Sequence, residues 1–315
     1  MHKNIYDTII IGSGCAGCTA AIYATRYKLK TLMIGKDFGL LAEAAEVENF
    51  PGFKKISGIE LLKKFHEHCK ALGVEILQEE VTKIVKDKKE NLFKVFTREN
   101  EYFGKTIIIA IGLARRKLNI PGEEKLIGRG ISYCATCDAA FTKDKVAAVV
   151  GGADSAAMAA LLIAKYAKKV YIFYRRAALR AQPYLVDRIK KEKKIEVVYN
   201  SNVIEAIGEK KLERVKLKIS KENGEEEIKE IPLSFLFIEI GSVPNTVLLK
   251  DLNIKLDERN FIVCDKEQKT NISGIFACGD ITNNIILRQA ITAAAQGAVA
   301  AYSAYLFLQK EKKIS

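Results

Sequence analysis

A strand, a glycine turn and a helix occur in that order twice along this chain, and nothing else in the sequence restricts the fold as strongly. In the first copy Thr8–Ile11 is apolar and β-branched. Gly12-Ser13-Gly14-Cys15-Ala16-Gly17 comes next, a helical stretch runs to about Lys28, and Thr31–Ile34 reads as the next strand. In the second copy Val146–Val150 leads into Gly151-Gly152-Ala153-Asp154-Ser155-Ala156, a helix over Ser155–Tyr166 and a strand over Val170–Tyr174. Each is a βαβ unit whose turn is placed to receive a dinucleotide. Two of them in 315 residues predict an α/β chain that binds two nucleotides at once.

The first turn carries the stronger signal. Gly12 permits the tight turn, Gly14 lets the backbone approach a pyrophosphate, and Gly17 lets the helix pack close to the strand. The free N–H groups of the helix start then face the phosphates. The acid often found on the ribose is missing, since Gly35-Lys36 stand at the end of the next strand with Asp37 just beyond. In the second turn Ala153 occupies a position where glycine is usual. A basic segment compensates: Arg175, Arg176 and Arg180 lie beyond the second strand, and a 2′-phosphate needs such charge-assisted, often bidentate, hydrogen bonds. The competing reading is a solvated basic edge.

Between the units Gly58–Leu72 has Leu61, Leu62, Phe65, Cys69 and Leu72 at helical spacing, and Leu92–Thr97 suggests a small antiparallel sheet. Lys105–Ile111 leads into Gly112. Further on come Ile195–Tyr199, Leu212–Ile219 and Phe235–Ile240, the last ending at Gly241. Ile275–Ala277 enters Gly279-Asp280, where an Asp can hold a ribose or ribityl hydroxyl. Arg288-Gln289-Ala290 then offers a cation, an amide and a helix start to a flavin ring. Crossings near Leu113–Lys117 and Ser242–Thr246 make the second unit an insertion in the first. The expected domains are 1–114 with 245–315, and 115–244.

Hydrophobic residues make up 49% and charged residues 28%, as in a soluble globular chain. A secretory leader is not expected, because the strand-like run Tyr6–Ile11 begins almost at once. Ala290–Leu308 is apolar, but Thr292, Gln296 and Ser303 mark it as a buried helix rather than a membrane span. The net charge of +13 raises nucleic-acid binding. The lysines are scattered, as at Lys190–Lys194 and Lys310–Lys313, without interleaved aromatics, and read as solvated faces.

Seven cysteines in a chain of this size do not suit a secreted disulfide scaffold, and a reducing cytoplasm with one pair kept for chemistry fits better. Cys134-Ala135-Thr136-Cys137, followed by Asp138, can close a short disulfide that exchanges through a thiolate. Zinc would need four ligands. Cys15 and Cys18 could supply two, but they lie inside a phosphate turn, and His2, His66 and His68 are badly placed, so no metal is expected. Cys15 and Cys18 as a second redox pair, with the helix dipole lowering the Cys15 pKa, is the alternative to small buried residues beneath a cofactor.

Together these stretches, with Glu46–Gly52, Gly128-Arg129-Gly130, Pro244-Asn245-Thr246, Gly274–Asp280 and Arg288–Thr292, resemble the low-molecular-weight thioredoxin reductases. The flavoprotein of alkyl hydroperoxide reductase is a close relative. The resemblance implies two Rossmann-like domains of three-layer ββα form, with FAD in the first and NADPH in the inserted one, and a homodimer. On it, Gly12, Ser13, Gly14, Ala16, Gly17, Asn49, Gly112, Gly279, Asp280, Arg288, Gln289 and Ala290 would hold FAD. Gly151, Gly152, Asp154, Ser155, Ala156, Arg175, Arg176, Arg180 and Gly241 would hold NADPH. Cys137 would face the flavin, Cys134 would attack a thioredoxin-like dithiol protein, and Asp138 would move the proton. A domain rotation about Ile111–Lys117 and Ser242–Thr246 is also implied. The alternatives are a reductase of a peroxiredoxin or other dithiol protein, and a slow flavin redox sensor. Leu40, Ala42–Ala45, Ile111, Ala153 and Glu239 depart from the family pattern. Geometry within the pair adds an expectation that Cys134, at a helix start, is the more exposed and more acidic cysteine.

Overall fold

The computed structural model describes residues 4–44, 47–87, 89–221 and 224–314, with side chains described as far as 311. His2, Ala45, Glu46 and the side chains of Lys312 and Lys313 lie outside the described residues. The chain divides into two compact units, Met1–Ala114 with Pro244–Ser315, and Arg115–Val243.

The first unit is organised by Glu101–Ile109, a strand of nine residues that changes partner along its length. On one side it pairs in parallel with Ile5–Ile11, from Ile5 opposite Phe103 to Ile11 opposite Ile109. On the other, its first residues pair antiparallel with Leu92–Phe96 and its last pair parallel with Ile275–Ala277. Thr31–Ile34 and Glu75–Leu77 extend the parallel side, and Lys83–Asp87 the antiparallel one. The expected small antiparallel sheet is therefore a wing of one seven-stranded sheet, because a single strand is long enough to serve both. Both faces are covered. Ile10 packs with Ala20, Ala21 and Ala304, and Ile9 and Ile11 pack with Ile107, Ile109 and Ile281. That is why Ile9–Ile11 shows no polar alternation.

Helix Cys15–Arg26 packs against the C-terminal helix Ala290–Ile314. Small residues let them touch: a Cβ on Gly297 would lie 2.1 Å from the Ala16 carbonyl oxygen. By length and composition Ala290–Glu311 could cross a membrane; here its Ala300, Ala301, Ala304 and Leu308 are buried in the core. Helix Gly58–Ala71 opens with a capping box, Ser57 and Glu60 each accepting the other's backbone N–H at 3.3 Å.

The second unit has a five-stranded parallel sheet in the order Ile195–Val198, Lys169–Phe173, Val146–Val150, Phe235–Ile238, Ile131–Ser132. Helices Asp154–Ala164 and Pro183–Lys191 pack on it through Ala157, Ala160, Ile163, Leu185 and Ile189. Ser201–Ile207, Arg214–Ser220 and Glu226–Pro232 form a separate antiparallel sheet. The connecting segments Leu113–Arg115 and Ser242–Pro244 pair as a two-stranded ribbon.

Candidate active site

The first glycine turn shows which glycines serve the chain and which serve a ligand. Gly12 has φ +107°, and a Cβ there would lie 2.3 Å from the Ala110 carbonyl oxygen. A Cβ on Gly17 would lie 1.9 Å from the Gly12 oxygen. Both are required by close backbone approach. Gly14 differs: its Cβ would meet only the Phe38 carbonyl, at 3.7 Å. It is the N-cap of Cys15–Arg26, no side chain caps that helix, and no acid stands in its first turn. The N–H groups of the first turn, which an α-helix leaves without an intrahelical acceptor, and the space at Gly14 fit an anion.

Ser13 is fixed from three directions. Its hydroxyl donates to the Asp37 carbonyl at 2.8 Å, while its own carbonyl accepts from the Cys18 thiol at 3.2 Å and meets His66 Nε2 at 2.8 Å. Asp37, the acid just beyond the second strand, thus meets the turn through its main chain. His66 escaped sequence reasoning, because 53 residues separate it from Ser13.

Gly279 brings Asp280 to this turn; a Cβ on Gly279 would lie 2.9 Å from the Ala16 Cβ. Asp280 Oδ1 is buried without a hydrogen-bond partner among the described residues. Burial pushes its carboxyl pKa up, opposed by Arg288. Arg288 donates to the carbonyls of Asp280 at 3.4 Å and Thr282 at 3.3 Å and lies over the Phe261 ring, 4.2 Å away. Asn49 Nδ2 donates to Gln289 Oε1 at 3.0 Å, joining two residues far apart in sequence. Ala290 packs in a cluster with Cys15, Leu41, Ala42 and Leu62, so Ala42, one of the family departures, packs as apolar wall. Gly112 has φ +59° with nothing within 4 Å of its added Cβ. An acceptor orphaned at the end of a strand, beside a bare helix start, fits the hydroxyls and pyrophosphate of a flavin dinucleotide.

The neighbouring cysteines are not built for exchange. Burial, with Asp280 adding, pushes the Cys15 thiol up to about 12. Contact with the Cys69 thiol and burial push Cys18 up as well. Both are free and buried, so the lowering expected from the helix dipole loses to desolvation.

In the second unit Gly151 has φ +147° and closes on the Glu239 carbonyl, 2.3 Å from an added Cβ. Glu239, where the family favours a small residue, is 6% exposed and pairs with Arg115 at 3.3 Å. Ala153 is the N-cap of Asp154–Ala164 at φ −103°, ψ −172°, extended backbone that alanine adopts without strain. Ser155 is exposed, Ala156 is buried, and Gly241 has φ +90° with open space around it. The turn supports the loop beyond the next strand. The Tyr174 ring covers Gly152, 2.4 Å from an added Cβ, and Arg180 N–H donates to the Gly152 carbonyl at 2.6 Å. Arg175, Arg176 and Arg180 are exposed and form no ion pair among the described residues.

Cys134 and Cys137 are joined in a disulfide, with Cα atoms 5.3 Å apart. Ser132 holds Cys134: its Oγ accepts the Cys134 N–H at 3.0 Å and donates to the Cys134 carbonyl at 3.3 Å. Cys134 caps the single turn Ala135–Asp138, and the Cys137 N–H donates to its sulfur at 3.1 Å. The expected exposure is reversed. Cys137 is exposed and Cys134 half-buried, because the cap residue is held inward by Ser132 while the residue one turn on points out. Asp138 is half-buried.

The family pattern of pyridine nucleotide-disulphide oxidoreductase matches residues 6–297. A thioredoxin reductase of Listeria innocua is 43% identical over 316 residues, spanning 99% of this chain and 97% of its own. The crystal structure of Lactococcus lactis thioredoxin reductase superposes with a TM-score of 0.90 at 41% identity, covering 97% of this chain and 99% of that one. That of T. acidophilum thioredoxin reductase gives 0.88 at 36% identity, with coverage of 99% and 100%.

Proposed function

The chain belongs to the pyridine nucleotide-disulphide oxidoreductases, among the low-molecular-weight thioredoxin reductases, and on that premise we propose that it uses NADPH and FAD to reduce a thioredoxin-like protein. The observation that carries the reading is the Cys134–Cys137 disulfide on the same unit as the second glycine turn and its arginine loop.

FAD, when bound, relays an electron pair from the nicotinamide to a disulfide. The chain's residues do the rest. Gly14 and the helix start behind it hold the pyrophosphate, and Asp280 takes a hydroxyl hydrogen bond. Arg288, Gln289 and Ala290 border the ring, and Asn49 positions Gln289. Arg175, Arg176 and Arg180 grip the 2′-phosphate. Reduction of the Cys134–Cys137 bond takes two electrons and two protons and gives two thiols. Asp138 supplies a proton to one sulfur and later removes it. The Cys134 thiolate attacks the partner disulfide and forms a mixed disulfide. Cys137 then displaces the partner's dithiol and restores the intramolecular bond. We assign attack to Cys134 because the Cys137 N–H points at its sulfur, where it would donate to the attacking atom. The same reading implies a cytoplasmic homodimer, which sedimentation and cell fractionation check.

The test is an anaerobic NADPH titration of the purified protein followed by turnover with thioredoxin. A yellow protein whose flavin is bleached by NADPH and recoloured by thioredoxin is expected. Colourless protein that refuses added FAD sinks the reading. Trapping assigns the sulfurs: a thioredoxin without its resolving cysteine, its remaining sulfur activated as a mixed disulfide with an aryl thiol, should be captured by Cys137→Ser at Cys134, the aryl thiolate leaving as the new bond forms. A conjugate formed only by Cys134→Ser, at Cys137, reverses the roles.

A further inference from the structure

We propose that Asp154 and Gln182 form a clamp that holds the arginine loop over the second glycine turn, and so set the preference for a 2′-phosphorylated coenzyme. The inference rests on the NADPH reading and refines it, since Asp154 acts through the loop rather than on the coenzyme.

Both carboxylate oxygens of Asp154 are engaged by one residue. Oδ1 accepts the Gln182 backbone N–H at 2.7 Å, and Oδ2 accepts its Nε2 at 2.7 Å. Asp154 is the first residue of helix Asp154–Ala164, and Gln182 precedes helix Pro183–Lys191. The segment 175–182 between them carries the three arginines. It is tied at other points too: Arg180 N–H to the Gly152 carbonyl at 2.6 Å, and the Arg176 carbonyl to Asn200 N–H at 3.2 Å. The backbone of this loop is therefore fixed to the turn, while its guanidinium groups stay exposed.

Chemistry argues against a direct pyrophosphate contact for Asp154. A pyrophosphate offers acceptor oxygens only, and a carboxylate offers none but acceptors, so the two repel at the start of a helix. Two N–H donors from Gln182 turn that charge toward the loop. Holding the loop matters because three exposed arginine side chains on a mobile segment would have to be ordered each time a phosphate arrived.

The experiment compares kcat/KM for NADPH and for NADH in the holoenzyme and in D154A, Q182A and the double variant, with flavin content and melting temperature recorded. Gln182 is exposed, so Q182A preserves the fold. The NADPH-to-NADH ratio should fall about threefold to tenfold in Q182A, the range of one lost hydrogen bond, because the backbone N–H of residue 182 still meets Asp154. It should fall at least as far in D154A, and the double variant should match D154A because the two act as one unit. If D154A changes both coenzymes equally while Q182A changes neither, Asp154 is only a charge at a helix start and the clamp is overturned. A wild type that prefers NADPH, with variant ratios unchanged, also overturns the clamp alone. A wild type with no preference overturns the clamp together with the NADPH reading.

Discussion

The polar groups that flank the first glycine turn are enclosed by its own unit, while those that flank the second lie open. Around the first, Ser13 is 5% exposed and bonded from three directions, and Asp280 Oδ1 is buried with no partner among the described residues. Around the second, Ser155, Arg175, Arg176 and Arg180 are all exposed. The two therefore differ in what emptiness costs. A buried acceptor left unmade costs roughly 1–3 kcal/mol, so the ligand that satisfies it becomes part of the fold. Exposed guanidinium groups are satisfied by water, so the second ligand can come and go. On the proposed function, one local grammar yields a resident cofactor and an exchanging substrate, and the burial of the recognising group decides which.

The largest expected effect tests enclosure directly. Gly14→Val should purify folded but colourless, because its Cβ has room in the protein and fills only the phosphate space. Gly12→Val should fail to fold, given φ +107° and a contact of 2.3 Å to the Ala110 carbonyl. Absorbance and circular dichroism separate the two. A yellow Gly14→Val protein would mean that the first turn is not the flavin cradle.

Next comes Asp280. Removing its carboxylate in Asp280→Ala should weaken FAD binding about tenfold to a hundredfold while making the apoprotein more stable, because an orphaned acceptor disappears. The pH dependence has a definite sign. Burial raises this carboxyl above its unfolded value. Its contribution to apoprotein stability is therefore full below the ordinary carboxylate range and is lost as pH rises through the folded pKa. Melting of the apoprotein against pH should show the wild type losing stability relative to Asp280→Asn over that rise. Parallel curves would mean that the buried charge is not felt.

The arginine loop should respond more narrowly. Arg175→Ala with Arg176→Ala should lower kcat/KM for NADPH about tenfold to a hundredfold and leave NADH nearly untouched. Equal losses for both coenzymes would move these residues off the 2′-phosphate.

What the sequence disclosed and what it hid obey one rule. Gly12–Gly17, Gly151–Ala156 and Cys134–Cys137 were legible because covalent spacing alone fixes their geometry. Contacts made through folding were not: Gln182 meets Asp154 across 28 residues, His66 meets Ser13 across 53, and Arg115 meets Glu239 across 124. Strand Glu226–Pro232 escaped because Glu226-Glu227-Ile228-Lys229-Glu230 is charged and mostly exposed, with no buried face to set a period. The exposure of the cysteine pair was misjudged for a related reason. The position of a cap residue depends on Ser132, whose hydroxyl reaches both the N–H and the carbonyl of Cys134.

The smallest expected effect is the sharpest test of the comparison. Ala153 is the counterpart of Gly14: each caps its helix in extended backbone, at φ −103° and φ −77°. Neither position needs glycine for its own conformation, so the methyl group of Ala153 tells only on a ligand. Ala153→Gly should therefore leave the fold intact, since glycine is a better N-cap than alanine by a few tenths of a kcal/mol or more. It should tighten NADPH and NADH by the same small factor, about twofold to fivefold, because both carry the same pyrophosphate and gain the same closer backbone approach. Binding titrations of the two coenzymes to the variant decide the matter. A gain confined to NADPH would show that the methyl group acts on the arginine loop instead. No gain at all would show that the open turn already holds its phosphates at the distance the closed one does.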